Sequence, residues 1–176
     1  MMPVFDSLLE ETLEAWSDVR HGLIDEVENI PHDRFDFRPT SETRSVTELI
    51  QHVLEVALMM TGELTRPDTD FHHAPWPELL DRYAGHVKDA RRKTELVDLL
   101  RSSFEQAEQG FRSAGELAML QLITRFDGEQ GTRLAWLNHG ISQEMYHRGQ
   151  LVLYERLMGI EPVLTRRIRE SSDAQD

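Results

Sequence analysis

Apolar residues return every three or four positions through four long stretches of this 176-residue chain, and almost nowhere do they alternate. That spacing is the α-helical period, so each stretch carries one stripe that must leave water by packing on another helix. Phe5, Leu8, Leu9, Leu13, Trp16, Val19, Leu23, Val27 and Ile30 form the first stripe, with Glu10, Glu11, Glu14, Asp18 and Glu26 on the other face. Asp6 or Ser7 stands where an N-cap belongs, and Pro31 stops the run. Ser45-Val46-Thr47-Glu48 has the form of a capping box, and the stripe from Val46 to Leu64 then predicts a second helix ending near Thr65. A third helix is expected from a cap at Thr94 through Ala114. A fourth runs from Thr132 to Met158, where Gly159 and Pro162 end it.

The connections are informative as well. His32 to Arg44 carries Phe35, Phe37 and Pro39, which predicts an ordered loop laying rings on the end of a bundle. Pro67, Asp68, Thr69 and Asp70 break the period. Pro77 then stands near the start of a short piece through Leu79, Leu80 and Tyr83, read as a capping helix or insert. Leu117 to Phe126 fits either a helical extension or a short extended segment before the Asp127-Gly128 and Gln130-Gly131 turns. The expectation is an all-α four-helix bundle in one domain, residues 1–165, followed by a polar, frayed tail, 166–176.

Composition narrows the chemistry. The chain has no cysteine, which removes disulfides, thiolate ligands and a cysteine nucleophile, and which suits a reducing cytoplasm. No apolar run reaches the roughly 20 residues that span a bilayer, and the start Met1-Met2-Pro3-Val4-Phe5-Asp6 lacks the pattern of a secretory signal, so a cytoplasmic protein without membrane attachment is expected. The net charge of −13 opposes nucleic-acid binding, since the basic run Arg166-Arg167-Ile168-Arg169 is short and is followed by Glu170 and Asp173.

Against that background two histidines stand out. On the fourth long helix Trp136, Gly140, Gln143, His147, Leu151, Tyr154 and Met158 share one line, which turns Gln143 and His147 inward. On the second, Glu48, His52, Glu55 and Met59 share another, so His52 sits at the edge of the buried face with carboxylates to either side. If the two lines face each other, imidazoles from distant parts of the chain meet in one pocket, which is how a bundle builds a metal or acid/base site. An ordinary alternative is that each histidine is a hydrogen-bonded core residue. Gly140 and Gly149 each cost a helix about 1 kcal/mol relative to alanine, which suggests close approach of a backbone or ligand there. Arg148 and Gln150 are candidate substrate contacts, although pairing with a buried carboxylate is the commoner use of such an arginine. His72-His73 is read as a solvated loop pair, with folding over the pocket to supply a donor as the alternative. Trp16, Trp76 and Trp136 are read as core or cap aromatics, and Leu58-Met59-Met60 as soft packing.

Two segments carry a family resemblance. Pro39 to His52 matches a P…S-V-x-E-L-x-x-H pattern, and Gln143 to Leu151 followed by Arg156 to Gly159 matches H-E-x-x-H-R-G-Q-L then R-x-x-G, apart from its first residue. Together they resemble the DinB-like proteins of the DinB/YfiT superfamily over most of the chain. The resemblance implies an up-down-down-up bundle, often a homodimer, in which three histidines hold a divalent metal that activates a low-molecular-weight thiol or other small substrate. It therefore implies a metal-dependent hydrolase or thiol-dependent transferase. Carried over by position, the ligands fall on His52, Gln143 and His147, for zinc or nickel before iron. Glu55 and Glu48 become the candidate proton acceptors, and Arg148 and Tyr154 the candidate substrate contacts. Gln143 departs from the pattern: an amide is a poor ligand beside imidazole, and His139, about 12 Å of helical rise from His147, does not replace it. A non-catalytic bundle that binds a small ligand or serves a stress response, its metal site degenerate, is the competing expectation.

Overall fold

The computed structural model describes residues 7–173. Helix α1 (Leu8–Asn29) is followed by a single 3-10 turn at His32–Arg34, α2 (Val46–Leu64) and α3 (Trp76–Ala84). After a second 3-10 turn at Val87–Asp89 come α4 (Lys93–Ala114) and the one-turn α5 (Glu116–Met119). Strands β1 (Leu122–Thr124) and β2 (Gln130–Thr132), α6 (Arg133–Leu157) and α7 (Val163–Asp173) complete the chain. The bundle is formed by α1, α2, α4 and α6.

Contacts between named residues set the helix directions. Trp16 meets Glu144 and Asn29 meets Glu155, so α1 and α6 run parallel. Glu10 meets Arg112 and Glu28 meets Arg101, so α4 opposes α1. His52 meets Gln143, and Met60 lies against Gly140, so α2 opposes α6. The order is up-down-down-up. Among the described residues no helix is long and apolar enough to cross a membrane.

The caps explain most boundaries. Ser7 Oγ accepts from Glu10 N–H; Asp6, the other expected cap, lies outside the described residues. Ser45 and Glu48 close the capping box of α2 in both directions, and Thr132 Oγ1 accepts from Ala135 N–H at the start of α6. Helix α4 begins earlier than expected, because Glu95 accepts the backbone N–H groups of Arg91 and Arg92, which makes Arg92 the N-cap in place of Thr94. The ambiguous segment 117–126 divides into α5 and β1, with β1 antiparallel to β2 and Ile123 opposite Gly131. The loop from His32 to Arg44 is ordered as expected: Phe35 is buried, and its carbonyl accepts from both the N–H and the hydroxyl of Thr47.

One expectation is overturned. Residues 163–173 form α7 rather than a frayed end, because the buried Glu26 carboxylate accepts the Val163 N–H at 2.7 Å and the Leu164 N–H at 3.2 Å. A carboxylate on free N–H groups at a helix start satisfies two orphan donors and opposes the helix dipole.

The apolar interior falls into two clusters, one around Leu13, Trp16, Met59 and Phe111, the other around Val27, Ile50, Leu54 and Leu100. Between them lies a polar waist. Arg20 is wholly buried there, paired with Glu144 at 2.5 and 2.9 Å and donating to Leu100 O and Ser103 Oγ. Trp16 Nε1 also donates to Glu144. Every polar atom of the pair that matters is met, which is the condition for tolerating a buried ion pair.

Candidate functional site

The waist is where the two histidines meet. His52 projects from α2 and His147 from α6, with ring centroids 4.9 Å apart and planes at 87°. Gln143, one turn before His147, brings its amide nitrogen to 3.4 Å from His52 Nε2. His147 is buried, and its Nδ1 lies 2.9 Å from Gln150 Oε1. Since that oxygen only accepts, Nδ1 carries the hydrogen and Nε2 keeps its lone pair. Gln150, weighed from sequence as a substrate contact, is thus the group that sets the tautomer.

Burial keeps both rings neutral. It brings the His52 pKa down to about 4, helped by the positive charge of Arg44 and by His147. Burial lowers His147 too, against the opposing effect of its bond to Gln150. Arg44, the exposed residue just before the α2 cap, places its charge near His52, His147 and Glu55. Its side chain was not singled out from the sequence, and no local motif marks it.

The two carboxylates separate in role. Glu55 is half-buried, makes no side-chain hydrogen bond among the described residues, and has its pKa raised by burial against the opposing charge of Arg44. Glu48 is engaged elsewhere: Oε2 accepts from Ser45 N–H at 2.8 Å and Oε1 from Arg38 at 3.2 Å, and the backbone bond from Ser45 holds its pKa down. A carboxylate tied to a helix cap and kept ionised is a weak proton acceptor, so Glu48 is withdrawn from the catalytic set.

The expected substrate contacts are likewise corrected. Tyr154 is buried, packs edge-on against Phe37 and donates its hydroxyl to Arg44 O at 3.0 Å, which pins the loop before α2. Arg148 lies over α1. A β-carbon at Gly22 would fall 2.3 Å from its Cζ, and its guanidinium is 3.9 Å from Glu26. Gly140 has only ordinary contact with Met60, and nothing approaches Gly149, so neither marks a close backbone approach. His73 is drawn to the far end of α2, where Glu63, wholly buried, meets His73 Nε2 at 2.9 Å, Arg66 at 2.8 Å and Tyr83 at 2.7 Å. It does not reach the pocket.

Two spaces adjoin Gln143, and His147 lines the inner one. A cavity of about 20 Å³, room for one water, lies inside the bundle between Trp16, Val53, Gln143, Glu144 and His147. An open groove of about 490 Å³ lies outside, walled by Trp76, Phe126 and Trp136 and floored by Val56, Met60 and Gly140. Gln143 borders both. Trp76 and Trp136, read from the sequence as core or cap aromatics, stand in the wall of that groove.

A model of the DinB family matches residues 2–175. The chain belongs to the DinB family. Among solved structures, a DinB-like protein from Bacillus subtilis is 19% identical and superposes with a TM-score of 0.64, the match covering 85% of this chain and 92% of that one. A protein assigned to the DinB family from Exiguobacterium sibiricum 255-15 is 25% identical, with a TM-score of 0.61 and coverage of 87% and 93%. A mycothiol-dependent maleylpyruvate isomerase is 17% identical, with a TM-score of 0.63, over 83% of this chain and 61% of that one. No curated protein matches the chain.

The metal implied by the DinB resemblance can be tested on the donors present. Among the described residues no three His, Cys, Asp or Glu side chains gather around one point. Glu144, which makes a literal Glu-x-x-His pair with His147, is turned away into Arg20, and the third place belongs to the Gln143 amide. Two imidazoles and an amide fall one strong ligand short of a resident zinc or nickel centre. The residues do not fit a permanently held ion.

Proposed function

We propose that this DinB-family protein is a small-molecule transferase or hydrolase in which the His52–Gln143–His147 cluster takes a proton from the attacking group, without depending on a bound metal. The observation that supports it is the pairing of two uncharged imidazoles from different helices beside Gln143, which borders an open groove. The paired imidazoles receive the proton on the Nε2 lone pair that Gln150 leaves free on His147, with His52 and Gln143 packed beside it; Glu55 relays the proton to solvent. A thiol is the preferred attacking group, in keeping with the thiol-dependent reaction named for one fold neighbour. The S–H proton passes to imidazole, the sulfur lone pair forms the bond to an electrophilic carbon, and the leaving group departs with the electrons of the bond that breaks.

The test mixes the protein with cysteine, glutathione or coenzyme A and 1-chloro-2,4-dinitrobenzene, following thioether absorbance, with 4-nitrophenyl acetate as the hydrolytic substrate. A rate above the protein-free reaction, lost about tenfold or more in His52→Ala and unchanged by chelator, is expected. Equal rates for wild type and His52→Ala on every pair would overturn the reading. One zinc or nickel per chain that survives dialysis and is lost in His147→Ala would replace it with the metal-dependent reading. The homodimer is proposed to close over the exposed apolar face of α6 and α7, where Leu153, Leu157, Leu164 and Ile168 stand in water. Light scattering of wild type against Leu153→Glu tests it, a monomer in both being the contrary result.

A further inference from the structure

We propose that the groove between Trp76, Phe126 and Trp136 is the specificity subsite of the histidine centre, and that its occupant is a flat, uncharged aromatic arm of the electrophilic substrate. This rests on the function proposed above for where the reaction occurs, but not for the binding itself. Size makes the first argument. The inner cavity holds about 20 Å³, enough for a reacting atom or a water but for no carbon skeleton, whereas the groove that shares Val56, Met60, Gly140 and Gln143 with it holds about 490 Å³. A substrate whose reacting atom reaches Gln143 must therefore lay its bulk outside, along α6.

The walls make the second. Phe126 stands edge-on to Trp76 with centroids 5.1 Å apart, and tilted to Trp136 at 5.7 Å. Such offset rings leave faces and edges for a further ring, the arrangement in which aromatic pairs gain beyond their buried area. Trp76 is 37% exposed although it has a phenylalanine to pack on, so part of its indole is uncovered. Charge makes the third. Asp127 lines the groove, and Arg125, the nearby cation over the Trp136 ring, is already paired with Asp127 at 2.7 Å. Among the described residues no lysine or arginine lines the groove, and His139, stacked on Trp136 at 4.9 Å, is the one imidazole in its wall.

Calorimetry with 2-naphthol, 2-naphthoate and decahydro-2-naphthol as probes tests the subsite directly. The expected order is 2-naphthol tightest, with Trp76→Ala weakening it about five- to tenfold. Thermal unfolding of Trp76→Ala checks that this exposed position leaves the bundle folded. Equal binding of the saturated analogue, or indifference to Trp76→Ala and to Phe126→Leu, would overturn the proposal. Naphthol binding without any transfer activity would sink the function and leave the subsite. Transfer to alkyl and aryl electrophiles alike, unaffected by Trp76→Ala, would sink the subsite and leave the function.

Discussion

Gln143 is the residue on which the chemistry of this site turns. It stands where the DinB resemblance implies a third imidazole, borders the inner cavity and the groove, and lies 3.4 Å from His52. Replacing it by histidine keeps the position and supplies a nitrogen donor, so Gln143→His is expected to raise zinc or nickel affinity by roughly tenfold or more. Chelator competition against wild type measures it, and equal affinities would mean that the three positions do not converge. That His52, Gln143 and His147 share a pocket was legible from two helical lines. The fate of Glu144 was not. Its spacing to His147 is that of a ligand pair, yet Arg20, 124 positions away, claims both its oxygens. A local spacing carries no information about a partner that distant.

At the scale of elements, the long helices and their caps were readable because period and cap chemistry are local, and α7 was not, because its start depends on a carboxylate from α1. The same division separates the glycines of α6. Sequence treats Gly140 and Gly149 alike as costly interior residues, but a side chain at Gly140 would meet Met60 whereas Gly149 faces open space. Gly149→Ala should therefore recover about 0.5–1 kcal/mol of helix stability in the monomer, by restricting the unfolded chain and adding no clash. Denaturant unfolding reads it directly. A loss of stability would show that the face is covered, as the proposed dimer requires, and dilution would then separate the two causes.

For the whole molecule, the junction of α1, α6 and α7 sets a pH dependence. Glu155 is buried beside Glu26 and bonded to Asn29 at 2.7 Å; burial, opposed by that bond and reinforced by Glu26, pushes its pKa up to about 8. Glu26 accepts from backbone N–H groups and lies near Arg148, and Glu155 keeps the proton. An unfolded glutamate ionises near 4.5, so this group's contribution is complete below that pH and declines as pH rises through about 8. Glu155→Gln fixes the neutral form. It should raise the Tm near pH 8.5 by on the order of 3 °C and flatten the slope between about pH 4.5 and about pH 8, with little change at pH 4.5 and below. Parallel Tm profiles for the two proteins would refute the assignment. The residues in order determined the helical period, most caps, the exclusion of cysteine chemistry and the two histidine lines, because each depends on neighbours within a turn or two. Tertiary structure alone decided which polar groups are already taken, where Trp76 and Trp136 leave a groove, and why Glu155 holds a proton. Those outcomes depend on desolvation and on partners a hundred residues away, and neither is written in local order.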